Sequence, residues 1–270
     1  MGSERTYRAT GINLKSMPLG ESDRIVTLLT KEFGLVRVVA KGSRKPKSAL
    51  GGRTEPFVVN NLLIARGRSL DRISQAETAR SFSGLRSSLA KLTVAQYWAE
   101  VVLHQALSQQ PQEDVFAVLL EHLERLSDAP RQAAAALPLL GHGVYHLLAI
   151  AGVAPQVHRC HYCRCRMDVP VDAIGSEREF LFSPASGGAI CDTCEIAQRP
   201  ERVAVLSAPT LAALQALPNA ALPECTDIPI GAWLGVEQAL HRTIQYHFDR
   251  TIQSSTLVAT CFRAQMPVAT

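Results

Sequence analysis

The apolar and polar positions follow a strand-like pattern up to about residue 80 and a helix-like pattern beyond it. The early part consists of short runs rich in Val, Ile, Thr and Leu. Turn-forming Gly and Pro residues separate these runs, which is typical of β-strands. The predicted strands cover residues 7–15, 24–30, 35–41, 56–65 and 72–78. Five short strands in this length favour a small closed or partly closed β-barrel.

The third predicted strand has the clearest alternation of side-chain character. Successive side chains of a strand point to opposite faces, so Arg37, Val39 and Lys41 share one face. The other face is apolar and consists of Val36, Val38 and Ala40. We therefore expect an apolar side that packs into the barrel and a basic side that faces solvent.

From Gly84 onward the apolar residues recur at steps of three and four, which is the spacing of a helix face. The predicted helices cover residues 84–106, 111–126, 130–152, 208–217 and 231–253. Residues 133–151 lack charge and are long enough for a membrane-spanning helix. Because this stretch contains Pro138, two glycines, His142 and His146, we interpret it as a buried helix of a helical domain.

The amino-acid composition and the spacing of apolar residues change together near residues 81–84, where we place a domain boundary. The predicted architecture is of the α+β class, with a small β-barrel in residues 1–82 and an all-helical domain in residues 83–270. Residues 154–199 form an insert in the helical domain, because turn-forming residues and most of the cysteines lie there.

The charge is distributed unevenly between these two predicted domains. Residues 1–82 contain 15 Lys and Arg against 7 Asp and Glu, a net charge of +8, although the whole chain carries only +4. Residues 83–270 contain 13 Lys and Arg against 17 Asp and Glu, a net charge of −4. This asymmetry predicts a polyanion-binding module followed by a nearly neutral one.

A run of basic residues follows the third predicted strand, in the loop GSRKPKSALGGR. Lys and Arg neutralise phosphates with little dependence on base sequence, and small barrels bind single strands across one face. The candidate DNA-binding residues are Arg37, Lys41, Arg44, Lys45, Lys47, Arg53, Arg66 and Arg68. Arg37, Arg66 and Arg68 belong to this set if the barrel brings the strands together. A solvated basic loop without a ligand is the alternative interpretation.

Five of the seven cysteines lie in two short motifs, CHYCRC at residues 160–165 and CDTC at residues 191–194. Two C-x-x-C turns can supply the four thiolates of a tetrahedral zinc ion. The candidate metal ligands are Cys160, Cys163, Cys191 and Cys194. Since the N-terminal MGSERTYRAT has no apolar signal-peptide core, we expect a reducing, cytoplasmic location and metal binding rather than disulfides.

The exact ligand set stays open at this point, because Cys165 can replace Cys163 or Cys160, and His161 can contribute. The C-x-C spacing of Cys163 and Cys165 suits a shared metal turn less well, so Cys165 ranks as the spare thiol. Four thiolates leave no open coordination position, and H-E-x-x-H does not occur, so we interpret the zinc as structural. The remaining Cys225 and Cys261 are interpreted as core thiols.

The familiar catalytic motifs are missing from the sequence. It contains no Walker loop, no G-x-S-x-G and no G-x-G-x-x-G. The sequence therefore favours a binding protein over an enzyme. Two other hypotheses are a zinc-dependent nucleic-acid enzyme and a protein-binding scaffold whose basic loop engages an acidic partner.

Three features occur in this order along the chain: VVAKGSRKPKS, the helical segment after it, and C-x-x-C followed by FSPASGGAICDTC. With these features the chain resembles the RecO family of bacterial DNA repair and recombination mediators. The resemblance covers nearly the whole chain. It implies an N-terminal OB-fold and a helical domain with a zinc-finger insert, and it matches Lys41, Arg44, Lys45 and Lys47 to the basic DNA-binding loop. The additional Cys165 departs from the family pattern.

The same resemblance implies a set of activities and partners. RecO-like proteins bind single- and double-stranded DNA and anneal complementary strands. With RecR, in the RecFOR pathway, they help to load RecA recombinase onto strands coated with single-stranded DNA-binding protein, whose acidic C-terminal tail they contact. For this chain, the expected partners are therefore DNA, RecR and that tail, the expected cofactor is a structural Zn²⁺, and no membrane is expected.

Overall fold

The computed structural model describes residues 5–169, 178–198, 200, 203–222 and 228–263. The chain divides into two compact units. The first contains the residues up to Ser87 together with Val102–Asp128, and the second contains Ser88–Val101 together with the residues from Ala129 onward. The predicted domain boundary near residues 81–84 stays a prediction, and Cys225 lies outside the described residues.

The first unit is built on a closed barrel of five strands. They are β1 (Thr6–Leu19), β2 (Asp23–Thr30), β3 (Gly34–Ala40), β4 (Val59–Ala65) and β5 (Asp71–Arg80). Their order around the barrel is β1-β2-β3-β5-β4. Antiparallel pairs join them except between β3 and β5, where a short parallel pairing matches Val38 to Asp71 and Val39 to Arg72. The predicted OB-like barrel is confirmed.

Side-chain alternation along the strands fills the barrel interior. Val38 and Ala40 of β3 are fully buried, while Arg37 and Lys41 are exposed, so the predicted alternation is confirmed. The same period in the other strands completes one apolar core, which consists of Ala9, Val26, Leu28, Val38, Ala40, Leu62, Ile64 and Ile73. Burial of this apolar surface is the main stabilising contribution to the barrel.

A β-bulge interrupts the pairing of β1 with β2. Asn13 pairs with Leu28 and Lys15 pairs with Thr27, so Leu14 is an additional residue without a partner in this ladder. Such a bulge changes the face to which the following side chains point. Leu14 is fully buried, and Lys15 is therefore directed to solvent.

Helices and a small sheet make up the rest of the described chain. In chain order these elements are α1 (Leu89–Gln105), α2 (Glu113–Asp128), α3 (Ala133–Ile150), β6 (Glu179–Ser183), β7 (Gly188–Ile190), α4 (Asp192–Gln198), β8 (Ala204–Ser207), α5 (Ala208–Ala216), α6 (Ile230–Phe248) and α7 (Ser255–Arg263). The helical domain after the barrel is therefore confirmed. The small sheet has the order β7-β6-β8, so it continues beyond the predicted end of the insert at residue 199.

Among the described residues, α3 is long and apolar enough by length and composition to cross a membrane, and half of that stretch is buried. Its glycines pack closely within the second unit. A Cβ atom on Gly143 would lie 2.5 Å from the Trp98 ring, and one on Gly141 would lie 2.9 Å from Val236. These contacts are those of a core helix in a packed unit.

The C-terminal helices differ from the sequence prediction. α6 ends at Phe248 rather than near residue 253, because Asp249 adopts a left-handed conformation (φ 50°) that terminates the helix. The following helix α7 was not predicted. It is short, and its sequence STLVATCFR contains the β-branched residues Thr256, Val258 and Thr260, which favour strands as much as helices.

Candidate nucleic-acid interface and metal centre

A groove of about 770 Å³ lies on the outer surface of the first unit. Its basic side chains come from three places in the sequence, Lys15 in β1, Arg37 in β3 and Arg66 after β4. The strand register explains how two of them meet. Lys15 pairs with Thr27 and Thr27 pairs with Arg37, so the three residues form one row across β1, β2 and β3.

The wall of this groove at Tyr7 is fixed by several contacts. The Tyr7 hydroxyl donates a hydrogen bond to Asp71 Oδ2 at 2.7 Å, and the Arg66 guanidinium lies 5.1 Å from the centre of the Tyr7 ring. Phe33 meets the same ring edge-on at 4.9 Å between centroids. Burial and the hydrogen bond to Asp71 raise the pKa of Tyr7 far above its ordinary value, so the phenol stays a neutral donor.

A second basic depression of about 280 Å³ adjoins the groove and shares Arg66 with it. Its other basic residues are Lys41 at the end of β3 and Arg72 at the start of β5. The parallel pairing of Val39 with Arg72 places these two strand ends side by side. We call the two depressions together the basic groove, and its basic residues are Lys15, Arg37, Lys41, Arg66 and Arg72.

The sequence prediction missed Lys15 and Arg72. Lys15 requires the bulge at Leu14 to reach the outer face, and a bulge leaves no clear signal in the sequence. Arg72 requires the parallel pairing of β5 with β3, which joins strands that are not neighbours in the chain. The excess of basic residues in 1–82 was the one signal that pointed toward both of them.

The predicted basic loop after β3 is an ordered series of tight turns. Asp23 anchors its start, because its carboxylate accepts hydrogen bonds from the Gly42 N–H at 2.8 Å and from the Ser22 hydroxyl at 2.9 Å. The hydrogen bond from Gly42 lowers the pKa of Asp23, so the anchor is ionised. The Arg44 N–H also donates to Ser22 O at 2.9 Å.

The side chains of this loop stand in solvent. Arg44, Lys45 and Lys47 are exposed, and the Arg44 guanidinium donates to Gly20 O at 2.8 Å. Arg53 is half-buried at the other end of the loop, where its carbonyl accepts a hydrogen bond from Asn13 at 2.7 Å. Arg68 is exposed in the turn between β4 and β5. Of the predicted set, the structure brings Arg37, Lys41 and Arg66 into the basic groove, and the others lie outside its lining.

The second unit contains a cluster of thiols. The sulfur atoms of Cys160, Cys163, Cys165 and Cys191 all lie within 4.8 Å of one another. The sulfur atoms of Cys163 and Cys191 are 3.6 Å apart. The fifth thiol, Cys194, is buried and does not belong to this set of four sulfur atoms. The cluster does not include the His161 ring, which lies edge-on to Tyr162 at 5.3 Å between centroids.

Local backbone geometry brings the two cysteine motifs together. The Cys160 N–H donates to Cys165 O at 2.8 Å, which closes the first motif into a turn. The His161 N–H donates to Ala189 O at 3.0 Å, and the Cys191 N–H donates to Cys160 Sγ at 3.4 Å. Gly188 makes this approach possible, because a Cβ atom there would lie 2.0 Å from Gln156 O. The glycines of FSPASGG therefore position Cys191 beside Cys160.

The thiols of the cluster share their protons unequally. Backbone and thiol hydrogen bonds from Cys165 lower the pKa of Cys163 to about 6. The hydrogen bond to Cys163 in turn raises the pKa of Cys165 to about 12. Burial, followed by hydrogen bonds within the cluster, raises the pKa of Cys194 to about 12. A bound cation would replace these shared protons and favour thiolates throughout.

The donor set fits a zinc ion. Zinc–sulfur bonds of about 2.3 Å in a tetrahedron put the sulfur atoms roughly 3.8 Å apart. The Cys163–Cys191 separation of 3.6 Å is close to that edge, and the other separations within the group of four are at most 4.8 Å. Among the described residues, the four clustered sulfurs are thus compatible with a metal site. The predicted set with Cys194 in place of Cys165 stays a prediction.

The protein combines an OB-like five-stranded barrel that has a basic groove with a helical unit that carries a thiol cluster. It is therefore of the class of two-part proteins with an OB-like barrel and a cysteine-bearing helical unit. Two family profiles then cover most of the chain. Recombination protein O N terminal matches residues 3–82, and Recombination protein O C terminal matches residues 86–256. The chain belongs to the RecO family.

Curated relatives agree with this assignment over almost the full length. The DNA repair protein RecO of Synechococcus sp. (strain JA-2-3B'a(2-13)) is 53% identical over 270 residues, covering 96% of this chain and 91% of that protein. The DNA repair protein RecO of Gloeobacter violaceus is 48% identical over 261 residues, covering 96% of this chain and 95% of that protein. Membership of this family supports a role in DNA repair and recombination.

Proposed function

We propose that this chain is a recombination mediator that binds single- and double-stranded DNA through the barrel and promotes the annealing of complementary strands. With RecR it helps to load RecA recombinase onto DNA coated with single-stranded DNA-binding protein, and it contacts the C-terminal tail of that coating protein. Membership of the RecO family and the charge of the barrel support this proposal.

The observation that carries the DNA-binding part is the basic groove. Five Lys and Arg side chains from β1, β3, β5 and the turn after β4 converge on one surface. Asp71 is the acidic residue in the lining, and its carboxylate is already engaged by the Tyr7 hydroxyl and by the Gly67 N–H at 3.0 Å. The surface is therefore strongly cationic, which is the electrostatic requirement for holding phosphates.

Annealing needs no bond to be broken in this mechanism. The cationic groove and the exposed loop residues Arg44, Lys45 and Lys47 neutralise phosphates of two approaching strands and reduce their mutual repulsion. The ordered turns of the loop and the fixed Tyr7–Arg66 stack keep these charges in place before DNA arrives. Base pairing then supplies the free energy of annealing, so we propose a mediator without catalytic turnover.

In this proposal the thiol cluster is a structural metal site that stabilises the fold of the helical unit. Four thiolates around Zn²⁺ leave no open position for a reacting water. When bound, the ion would hold the turn at Cys160–Cys165 against the start of α4, and so fix the insert in the helical unit. We place the protein in the cytoplasm, where thiols stay reduced and DNA is present.

The test compares two sets of basic residues with a matched control. Replacing Lys15, Arg37 and Arg66 by Ala removes charge from the groove, and replacing Lys41, Arg44, Lys45 and Lys47 by Ala removes it mainly from the loop. Each lost phosphate contact should reduce the slope of log K against log salt by about 0.7 for single strands. Affinities for an oligonucleotide are measured at several salt concentrations, together with strand annealing.

Arg8→Ala is the control, because Arg8 is exposed on β1 but lines a different depression with Thr10 and Glu77. It should leave the salt slope nearly unchanged. If all variants keep the wild-type slope, the barrel does not hold the phosphates. If the loop binds an acidic peptide but no oligonucleotide, the chain is a protein-binding scaffold and the proposal fails.

A further inference from the structure

The thiol cluster contains one thiol more than a tetrahedral ion can bind. Cys160, Cys163 and Cys191 are common to the set predicted from the C-x-x-C pairs and to the set whose sulfur atoms meet in the structure. The two sets differ in their fourth member. It is Cys194 in the first set and Cys165 in the second, and we call the three common residues the shared thiols.

Cys165 reaches the shared thiols from the turn of the first motif. Arg164 precedes it with φ 63°, and the Arg164 N–H donates to Cys160 O at 3.1 Å. This left-handed residue reverses the chain, and the Cys165 sulfur lies within 4.8 Å of the sulfur atoms of Cys163 and Cys191. Its side chain remains exposed to solvent.

Cys194 reaches the same residues from helix α4. The Cys194 N–H donates to Cys191 O at 3.0 Å, which folds the second motif into a tight turn. Burial, and then the neighbouring thiols of Cys163, Cys191 and Cys160, raise the pKa of the Cys194 thiol. In contrast to Cys165, it is only 8% exposed.

We propose that Cys165 and Cys194 compete for the fourth coordination position of one metal ion, whose other ligands are the three shared thiols. The inference rests on the proposed metal site and adds that one of its four ligands exchanges between two cysteines. One ion takes four thiolates, and a fifth thiolate beside it would add unbalanced negative charge. The thiol that is not coordinated therefore carries a proton.

The exchange conserves atoms and charge. The thiol of Cys165 loses its proton as its sulfur bonds to the metal, and the bond from the metal to Cys194 breaks as that sulfur takes up a proton. No oxidant or reductant is needed. The two states differ in accessibility, because a displaced Cys165 is exposed to reagents whereas a displaced Cys194 is buried.

The test loads the full chain with Co²⁺, whose visible and charge-transfer absorption reports the number of bound thiolates. Cys165→Ser and Cys194→Ser are compared with wild type and with Cys165→Ser/Cys194→Ser. Each single variant should bind about one ion per chain and keep the four-thiolate spectrum. The double variant should show a three-thiolate spectrum. Cys261→Ser is the control, because Cys261 lies in α7 and contacts Thr93 rather than the cluster.

Alkylation of the metal-loaded wild-type chain gives a second readout that does not depend on any variant folding. Mass mapping after a brief pulse of reagent should find partial modification of Cys165, and the modified chains should retain the metal through Cys194. Two results would overturn the exchange while leaving the metal site intact. One is loss of the four-thiolate spectrum in only one single variant, and the other is complete protection or complete modification of Cys165 within the brief pulse. If the wild-type chain binds no metal, the proposed metal site itself fails.

Discussion

Glu237 is a buried carboxyl residue that the pattern of the sequence did not predict. It lies on α6 within an apolar stretch and is only 9% exposed. The Tyr97 hydroxyl donates to its carboxylate at 3.0 Å and lies 3.3 Å from His241 Nδ1. Burial raises the pKa of Glu237 to about 7 and lowers the pKa of His241. Both shifts favour neutral side chains, so the 3.9 Å approach of His241 to Glu237 is not an ion pair at neutral pH.

A pH dependence of stability follows from this carboxyl group. Because its pKa is raised in the folded state, the unfolded chain releases the proton first, and stability falls as pH rises from about 4.5 to about 7. The loss amounts to about 3 kcal/mol at full ionisation. Glu237→Gln keeps an acceptor for Tyr97 and should remove this decline, as measured by denaturant unfolding across that pH range.

Glu179→Gln is the control for this measurement, because Glu179 is an exposed residue at the start of β6. Its unfolding free energies should parallel those of wild type at every pH. If the Glu237→Gln curve also runs parallel to wild type, the buried carboxyl is not the source of the pH dependence.

At the level of the elements, two glycines with similar φ angles allow the cost of a strained backbone to be compared with the cost of close packing. Gly34 begins β3 with φ 63°, and Gly20 lies in the turn after β1 with φ 58°. A Cβ atom on Gly34 would lie 2.0 Å from Leu107 O, whereas one on Gly20 would have no neighbour within 4 Å. The close approach exists because the Leu35 N–H donates to Leu107 O at 2.9 Å.

Gly20→Ala should therefore cost only the left-handed strain, about 1 kcal/mol. Gly34→Ala should cost clearly more, because the chain after α1 must also move away from β3. Denaturant midpoints of the two variants measure the difference. Equal destabilisation would mean that the 107–112 segment yields freely and does not fix the start of β3.

The elements show which parts of the fold the sequence could predict. Alternation in residues 35–41 and helical spacing in residues 111–126 are local signals, and β3 and α2 follow them closely. The bulge at Leu14, the parallel pairing of β5 with β3 and the end of α6 at Asp249 depend on contacts or backbone angles without such a pattern. The same distinction applies to the basic groove: Arg37 and Lys41, which follow a local pattern, were predicted, whereas Lys15 and Arg72 were not.

At the scale of the whole molecule, the thiol cluster should stabilise one unit and not the other. Its cysteines all lie in the unit formed by Ser88–Val101 and the residues from Ala129 onward. Cys191→Ala removes one of the shared thiols, and metal binding is coupled to folding. The variant, or treatment of wild type with a chelator, should lower the melting temperature of the helical unit and leave the circular dichroism of the barrel nearly unchanged.

Cys261→Ala serves as the control for this comparison, because Cys261 belongs to the same unit but lies outside the cluster. It should keep both the metal and the wild-type melting temperature of that unit. If purified wild type contains no zinc, and Cys191→Ala melts as wild type does, the cysteines do not form a structural metal site.

The short parallel pairing between β3 and β5 gives the barrel an order of assembly. Its residue pairs, Val38 with Asp71 and Val39 with Arg72, join chain segments that are far apart in sequence, while β2 and β3 are linked by a tight turn. Distant contacts form only after the entropy of closing the intervening chain is offset. The antiparallel pairs between strands that follow one another in the chain, β1 with β2, β2 with β3 and β4 with β5, therefore form first. This seam closes later, as does the distant antiparallel pairing of β1 with β4. Residues on both sides of the seam line the basic groove, so a nascent chain with an open seam carries the same charges but has no groove in which to hold a strand.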